Sequence, residues 1–394
     1  MIEQISVTNL CIERKTALSE LNKHQSVGTL SRLEKFGKHK KKIVNPFWRR
    51  LRWSTLVAVL GWFTWFYFTD TGSQVRLVIA DSVIITQHRE WAKYLIGTEA
   101  LANRVKFWVD RADEYAVIPD LHHVHIVEEQ KPSVTYEVIS GSGWSGYLLT
   151  ISDPKKIRVI VTSTDGTGEQ VSHMVSRTGA IAGVNAGGFV DTNWRGNGFK
   201  PIGLVMSGGR LYYNSTSRTV PQHIVGIDRD GKMVAGKYTA NELDQLGVQE
   251  AVTFAPRFIV NGVGQIPDAA SGWGIAPRTA MAQREDGSIL FAIIDGRQQR
   301  SIGATLYDVQ ELFLKHGAVI AANLDGGAST VLVYKNQIIN NPCSKYGERY
   351  VPTAFLVYDN PAKVLNPNIW EGKNPKSINA VSKKNRKNYN LTNQ

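Results

Sequence analysis

"GAVIAANLDGGAST", Gly317 to Thr330, decides how this chain is read. Ala318 to Ala322 form a short continuous apolar run, the pattern of a strand buried on both faces. The run stops abruptly at Asn323, Asp325 and the pair Gly326-Gly327. Just before it, "TLYDVQELFLKHGA" sets Leu306, Val309, Leu312 and Phe313 on one helical face, with Gly317 placed as the cap. "GAIAGVNAGGFVD", Gly179 to Asp191, has the same shape. It follows the helical "HMVSRTGA" and ends a short apolar strand in Asn185-Ala186-Gly187-Gly188.

Working outward, short apolar runs separated by Gly, Asn, Asp and Pro continue on both sides. "YEVISGSGWSGYLLTISDP", "IRVIVTSTDG", "LVMSGGRLYYN" and "HIVGIDRDGKMVAG" read as strands joined by tight turns whose glycines supply positive φ. Strands dominate and helices are few. The fold class expected is therefore α+β, with strand-rich mixed sheets rather than a doubly wound sheet.

The 394 residues carry a net charge of +12, but unevenly: "KFGKHKKK", "WRRLRW" and "KKNRKNYN" hold much of the excess. The middle of the chain is nearly balanced, so no nucleic-acid face is declared there. The first basic block precedes "STLVAVLGWFTWFYFT", sixteen residues without a charge. At ~1.5 Å per residue that covers roughly 24 Å, short of the ~30 Å hydrocarbon core unless flanking residues help. An uncleaved single transmembrane anchor at residues 53–70 is expected, with residues 1–52 cytoplasmic and the bulk of the chain outside, from the crowding of Lys and Arg on the N-terminal side. Residues 71–133 read as a helical stalk and linker, 134–359 as the main domain, and 360–394, rich in Asn, Lys and Ser, as a disordered tail. Cys11 and Cys343 fall on opposite sides of the anchor, so no disulfide is implied.

Candidate chemistry gathers at the strand ends. Paired glycines let backbone approach a ligand and aim N–H groups at it, and Asn or Asp at a strand end adds hydrogen bonds. "IAPRTAMAQREDGSILFAIIDGRQ" lies between the two Gly-Gly endings and supplies Arg278-Thr279 and Asp295-Gly296-Arg297. Arg278 and Arg297 suit bidentate capture of phosphate or carboxylate, or else are surface ion pairs. His122, His123 and His125 have only Asp120 and Glu128 near ligand spacing, and "HVHIVEE" fits a strand with one polar face better than a metal site.

The ordered set "NAGGF", "GLVMSGGRL", "APRTA", "DGRQ", "NLDGGAST" and "ERYVPTAFLVY" resembles the phosphodiester glycosidase family from about Val134 to Tyr358. The chain departs from the family pattern at Ala186, Val190 and Ala328, each beside an intact polar residue. The resemblance implies hydrolysis of a sugar-1-phosphodiester at the anomeric carbon of a glycan or glycopolymer. From position and chemistry, Arg278 and then Arg297 are expected to hold the phosphate with the N–H groups of Gly187, Gly188, Gly326 and Gly327. Asp325 is nucleophile or base with Asp295 as partner, and Asp191 stands in reserve. Asn185 and Asn323 bind sugar hydroxyls, Thr279 adjoins the clamp, and Ser329 and Thr330 hold Asp325 or a phosphate oxygen. Oxygen donors of this kind also accept Ca²⁺ or Mg²⁺, although no ordered metal loop is present and no cofactor is required. The other class open to the sequence is a non-catalytic anchored module that binds glycans or anionic polymers.

Overall fold

The computed structural model describes residues 46–86, 88–125, 133–191, 197–345 and 347–380. The chain divides into two compact units, residues 1–63 and 64–394. Three sheets build the second. Seven strands stand in the order Val134–Gly141, Trp144–Ile151, Ile289–Ile294, Arg278–Arg284, Ala318–Asn323, Arg257–Val260 and Val263–Gly264. Five more run Gln337–Ile338, Leu332–Tyr334, Ala182–Asn185, Thr353–Val357 and Ile157–Val161, and a third sheet of five covers Leu204 to Thr253.

The α+β class is as expected, but every strand pair among the described residues is antiparallel, so the sheets are not mixed. Tight hairpins account for several of these pairs. Leu204–Ser207 turns into Arg210–Asn214 through Gly208 and Gly209, both at positive φ (55° and 71°), the conformation a primed turn requires. The pairing stays antiparallel even where neighbouring strands are far apart in sequence, as for Trp144–Ile151 beside Ile289–Ile294 and Ala182–Asn185 beside Thr353–Val357.

Period-two alternation splits the central strands between two cores. Leu149, Phe291 and Met281 face a cluster shared with Val184 and Phe355 of the second sheet and Val225 and Val252 of the third. Leu148, Leu290 and Ala282 face the opposite side, where helices cover them. One of those helices is Leu306–Lys315, begun by a capping box between Thr305 and Asp308 and followed by Gly317 at φ 77°.

The remaining cover comes from residues read as a stalk. Helices Asp70–Ile84 and Thr98–Val117 bury Ala80, Ile84, Leu101, Trp108 and Tyr115 against Phe258, Leu290 and Ile294. Their apolar face has a sheet to cover, so the segment is part of the domain and not a spacer. The tail is likewise seated as far as Ala380. Trp370 is buried and its indole N–H donates to the Phe199 carbonyl at 3.2 Å, while Asn366 bonds Val159 and Ser207. Of the strand expected in "HVHIVEE", residues 123–125 are not extended into a sheet and 126–129 lie outside the described residues, as does Cys11, while His122 is buried against Asp120.

The anchor expectation is also corrected. Residues 53–70 fall largely in helix Pro46–Phe68, and among the described residues no helix is long and apolar enough to cross a membrane. Arg49, Arg50 and Arg52 occupy its first half, and its second half draws on Trp and Tyr, whose polar tips favour interfaces over hydrocarbon.

Candidate active site

The buried strand ends at Asn323 because two sheets meet there. Asn323 still belongs to the seven-stranded sheet: its N–H donates to the Pro256 carbonyl at 2.9 Å and its Nδ2 to the Ala255 carbonyl at 3.1 Å. Leu324 N–H donates to Thr279 (2.9 Å), and Asp325 N–H crosses to Ala186 at the end of Ala182–Asn185 (3.0 Å). A single 3₁₀ turn, Gly327–Ser329, then folds back, with Gly327 at φ 61° donating to the Pro277 carbonyl at 2.9 Å. Asn and glycine stand where the backbone must leave one ladder and join another.

This junction is the floor of a cleft of about 370 Å³. Asp325, Asn323, Gly326, Gly327, Ala328 and Ser329 line it, together with Arg278, Arg297, Asp191 and Arg349. Phe189, Phe254 and Trp273 supply aromatic wall, and Ile85, Arg89 and Trp108 reach in from the N-terminal helices.

Asp325 is half-buried. Burial pushes its carboxyl up to about 6, against the opposing hydrogen bond from Ser329 and the charge of Arg349, with Asp191 adding repulsion. Arg278 is buried at the first position of its strand. It donates to three carbonyls, Trp273 (2.7 Å), Gly274 (2.6 Å) and Ala304 (3.1 Å), and among the described residues no carboxylate pairs with it. Burial and the neighbouring Arg297 pull its guanidinium down to about 9. A buried cation held only by carbonyl dipoles is under-compensated and favours an incoming anion. Arg297 holds a left-handed backbone (φ 57°), a conformation costly for a non-glycine residue and one that accompanies functional sites.

The remaining nominated residues divide. Asn185 is buried outside the cleft lining. Its Nδ2 donates to the Asp325 carbonyl, while its Oδ1 accepts from Thr279 Oγ1 (2.9 Å) and Val331 N–H (3.1 Å), so it ties the loop rather than facing a sugar. Thr279 belongs to the same tie. Gly187 and Gly188 also turn inward: their N–H groups donate to Thr353 Oγ1 (3.2 Å) and the Thr253 carbonyl (3.3 Å). Their bareness serves close packing, since a Cβ on Gly187 would stand 2.8 Å from Val252 Cβ. Asp295 is outside the lining as well, accepting from Asn340 Nδ2 (3.0 Å) and Asn341 N–H (3.1 Å). Thr330 is buried with its hydroxyl unpartnered, as is the side-chain Oδ1 of Asn323, a residue that does border the cleft. Among the described residues no group of three His, Cys, Asp or Glu side chains is arranged to hold a metal ion.

Sequence reasoning missed Arg349, whose Nη2 lies 2.6 Å from Asp191 Oδ2 and whose guanidinium sits 4.9 Å over the Phe189 ring. The signal was present in "ERYVPTAFLVY", but an arginine ahead of a strand is not distinctive. It also missed Trp108 and Arg89, which no local pattern links to residues two hundred positions later.

Several known proteins share parts of this architecture. Residues 178–358 match the family model described as phosphodiester glycosidase. An SPbeta prophage-derived uncharacterized protein, YomE, of Bacillus subtilis is 29% identical over 197 residues, 48% of this chain and 30% of that protein. The N-acetylglucosamine-1-phosphodiester alpha-N-acetylglucosaminidase of Bos taurus is 28% identical over 158 residues, 36% of this chain and 29% of that protein. The matches thus span less than a third of either relative's length. The zebrafish catalytic domain of the latter enzyme, auto-inhibited by its pro-peptide, aligns with TM-score 0.50 at 18% identity over 61% of this chain and 87% of that one, a likeness of fold. The ordered motifs and the family match agree in what they resemble: residues 178–358 are similar to the phosphodiester glycosidase family.

Proposed function

We propose that the cleft hydrolyses a sugar-1-phosphodiester within a glycan or glycopolymer. The observation that carries this reading is Asp325, raised to about 6, in one cleft with Arg278, a buried guanidinium without a carboxylate. Arg278 and Arg297 receive the phosphodiester oxygens and hold them as charge grows on the departing phosphate. A phosphate is a good leaving group, so neutralising it matters more than protonating it. The C1–O bond breaks with its electron pair going to the phosphate oxygen, and a water oxygen bonds to C1. The ionised Asp325 stabilises the oxocarbenium-like centre and takes the water's proton or, as nucleophile, precedes the water. Ser329 orients that carboxylate, the Asn323 oxygen accepts a sugar hydroxyl, and Phe254 and Trp273 offer faces to the ring.

We also propose attachment to a membrane surface through helix Pro46–Phe68. Its exposed Trp48, Trp53 and Trp62 and its Arg49, Arg50 and Arg52 suit an anionic lipid interface.

The test is release of sugar by the full chain from an N-acetylglucosamine-1-phosphodiester and from a simple glycoside. Cleavage of the diester alone, abolished in Asp325→Asn, is expected. Anionic glycan binding without cleavage of either would instead establish the non-catalytic module.

A further inference from the structure

The cleft holds more positive charge than one phosphodiester uses. Among the described residues four guanidiniums line it, Arg89, Arg278, Arg297 and Arg349, against two carboxylates, Asp191 and Asp325. Arg349 is paired with Asp191. Among the described residues no carboxylate pairs with Arg89, Arg278 or Arg297. A phosphodiester brings a single negative charge, which Arg278 and Arg297 already exceed. Arg89 is then a third cation of the same cleft without a carboxylate partner among the described residues.

Arg89 is held there by structure. Its Nε donates to the Ile84 carbonyl at 3.1 Å, at the end of helix Asp70–Ile84. That helix is fixed to the loop that cradles Arg278. Ser82 Oγ accepts from Ile275 N–H at 2.8 Å, and Asp81 is gripped by Arg104 at 2.6 Å. Gly274, whose carbonyl holds Arg278, lies so close that a Cβ on it would be 2.5 Å from the Asp81 backbone. The segment bearing Arg89 lies outside residues 178–358, so this part of the lining comes from beyond the residues that match the family model. Arg89 is exposed where Arg278 is buried, which places it toward the mouth of the cleft, on the side of whatever continues beyond the scissile group.

We propose that the substrate is at least dianionic: the scissile phosphodiester binds Arg278 and Arg297, and a second anionic group further along the same glycan binds Arg89. This rests on the phosphodiester reading above and narrows it to polymers with repeated negative charge. A second phosphodiester and a carboxylate share the chemistry required.

Calorimetry on the full chain tests this without turnover. The probes are dimethyl phosphate, a glycerol bearing two methyl phosphodiesters, and a methyl phosphodiester of a hydroxycarboxylic acid. The two-charge probes should bind about tenfold tighter than dimethyl phosphate at low salt, as for a partly screened charge pair, and the gap should shrink as salt rises. In Arg89→Gln the ratio should fall toward one, and Arg89→Lys should restore most of it. The tighter of the two dianions names the source of the second charge. A ratio near one in the native chain, or a ratio untouched by Arg89→Gln, overturns the proposal. Its failure is separable from that of the glycosidase reading: sugar release with no discrimination strikes this inference alone, and discrimination without sugar release strikes the glycosidase reading alone.

Discussion

Arg349 Nη2 lies 2.6 Å from Asp191 Oδ2, and both side chains act on the carboxyl of Asp325, Arg349 lowering its affinity for a proton and Asp191 raising it. The pair is a tuning device on the acid that the proposed chemistry needs ionised.

Its two halves should move the pH profile in opposite directions. With Asp325 at about 6, kcat/KM for a sugar phosphodiester should fall as pH drops through that value. Arg349→Gln removes the cation and should shift the acid limb upward, whereas Asp191→Asn should shift it downward. Acid limbs that coincide in all three proteins would remove the pair from the site's electrostatics.

Arg278→Ala should lower kcat/KM by about 10²–10³-fold, the scale of losing one preorganised donor to developing charge. Competitive inhibition by inorganic phosphate should weaken with it. Arg278→Lys should rescue little, because one ammonium cannot hold the carbonyls of Trp273, Gly274 and Ala304 and still present a fork to the ligand. Circular dichroism on the same samples separates loss of site from loss of fold.

Asn185→Ala should destabilise the domain by about 2–4 kcal/mol in urea unfolding, since it leaves the Thr279 hydroxyl and the Val331 N–H buried without their acceptor. Activity should fall as well, although Asn185 stands outside the cleft, because the Asp325 carbonyl loses its tie. An unchanged unfolding midpoint would mean that the loop is held elsewhere.

Asp325→Asn should stabilise the protein while abolishing turnover. The folded carboxyl, at about 6, lies above its ordinary 3.8, so folding favours the protonated form. The associated stability is intact below 3.8 and is lost as pH rises through about 6. Full conversion of that shift gives about 3 kcal/mol, reduced to roughly 1–2 kcal/mol because the open cleft admits water. Urea midpoints of the two proteins should therefore diverge at pH 7 and converge near pH 4. Equal midpoints at both values would show that burial does not strain this carboxyl.

What the sequence by itself determined were features written in neighbouring residues. Alternation marked the hairpins, Gly208-Gly209 their turn, and Gly317 the end of a helix, because φ and local hydrogen bonds depend on a few adjacent positions. The strand ending at Asn323-Leu324-Asp325 and the arginine opening Arg278–Arg284 were legible for the same reason, and both line the cleft. Tertiary structure alone decided which polar residues share that cleft. Asp295 and Asp191 look alike in sequence, yet one is held by the Asn340 side-chain amide and the Asn341 N–H and the other meets Arg349, 158 residues away. The inward turn of Gly187-Gly188 depended on the proximity of Val252, and the apolar face of Thr98–Val117 could equally have served a stalk. Local propensity sets where the chain turns; long-range packing of buried faces sets what each turn ends up beside.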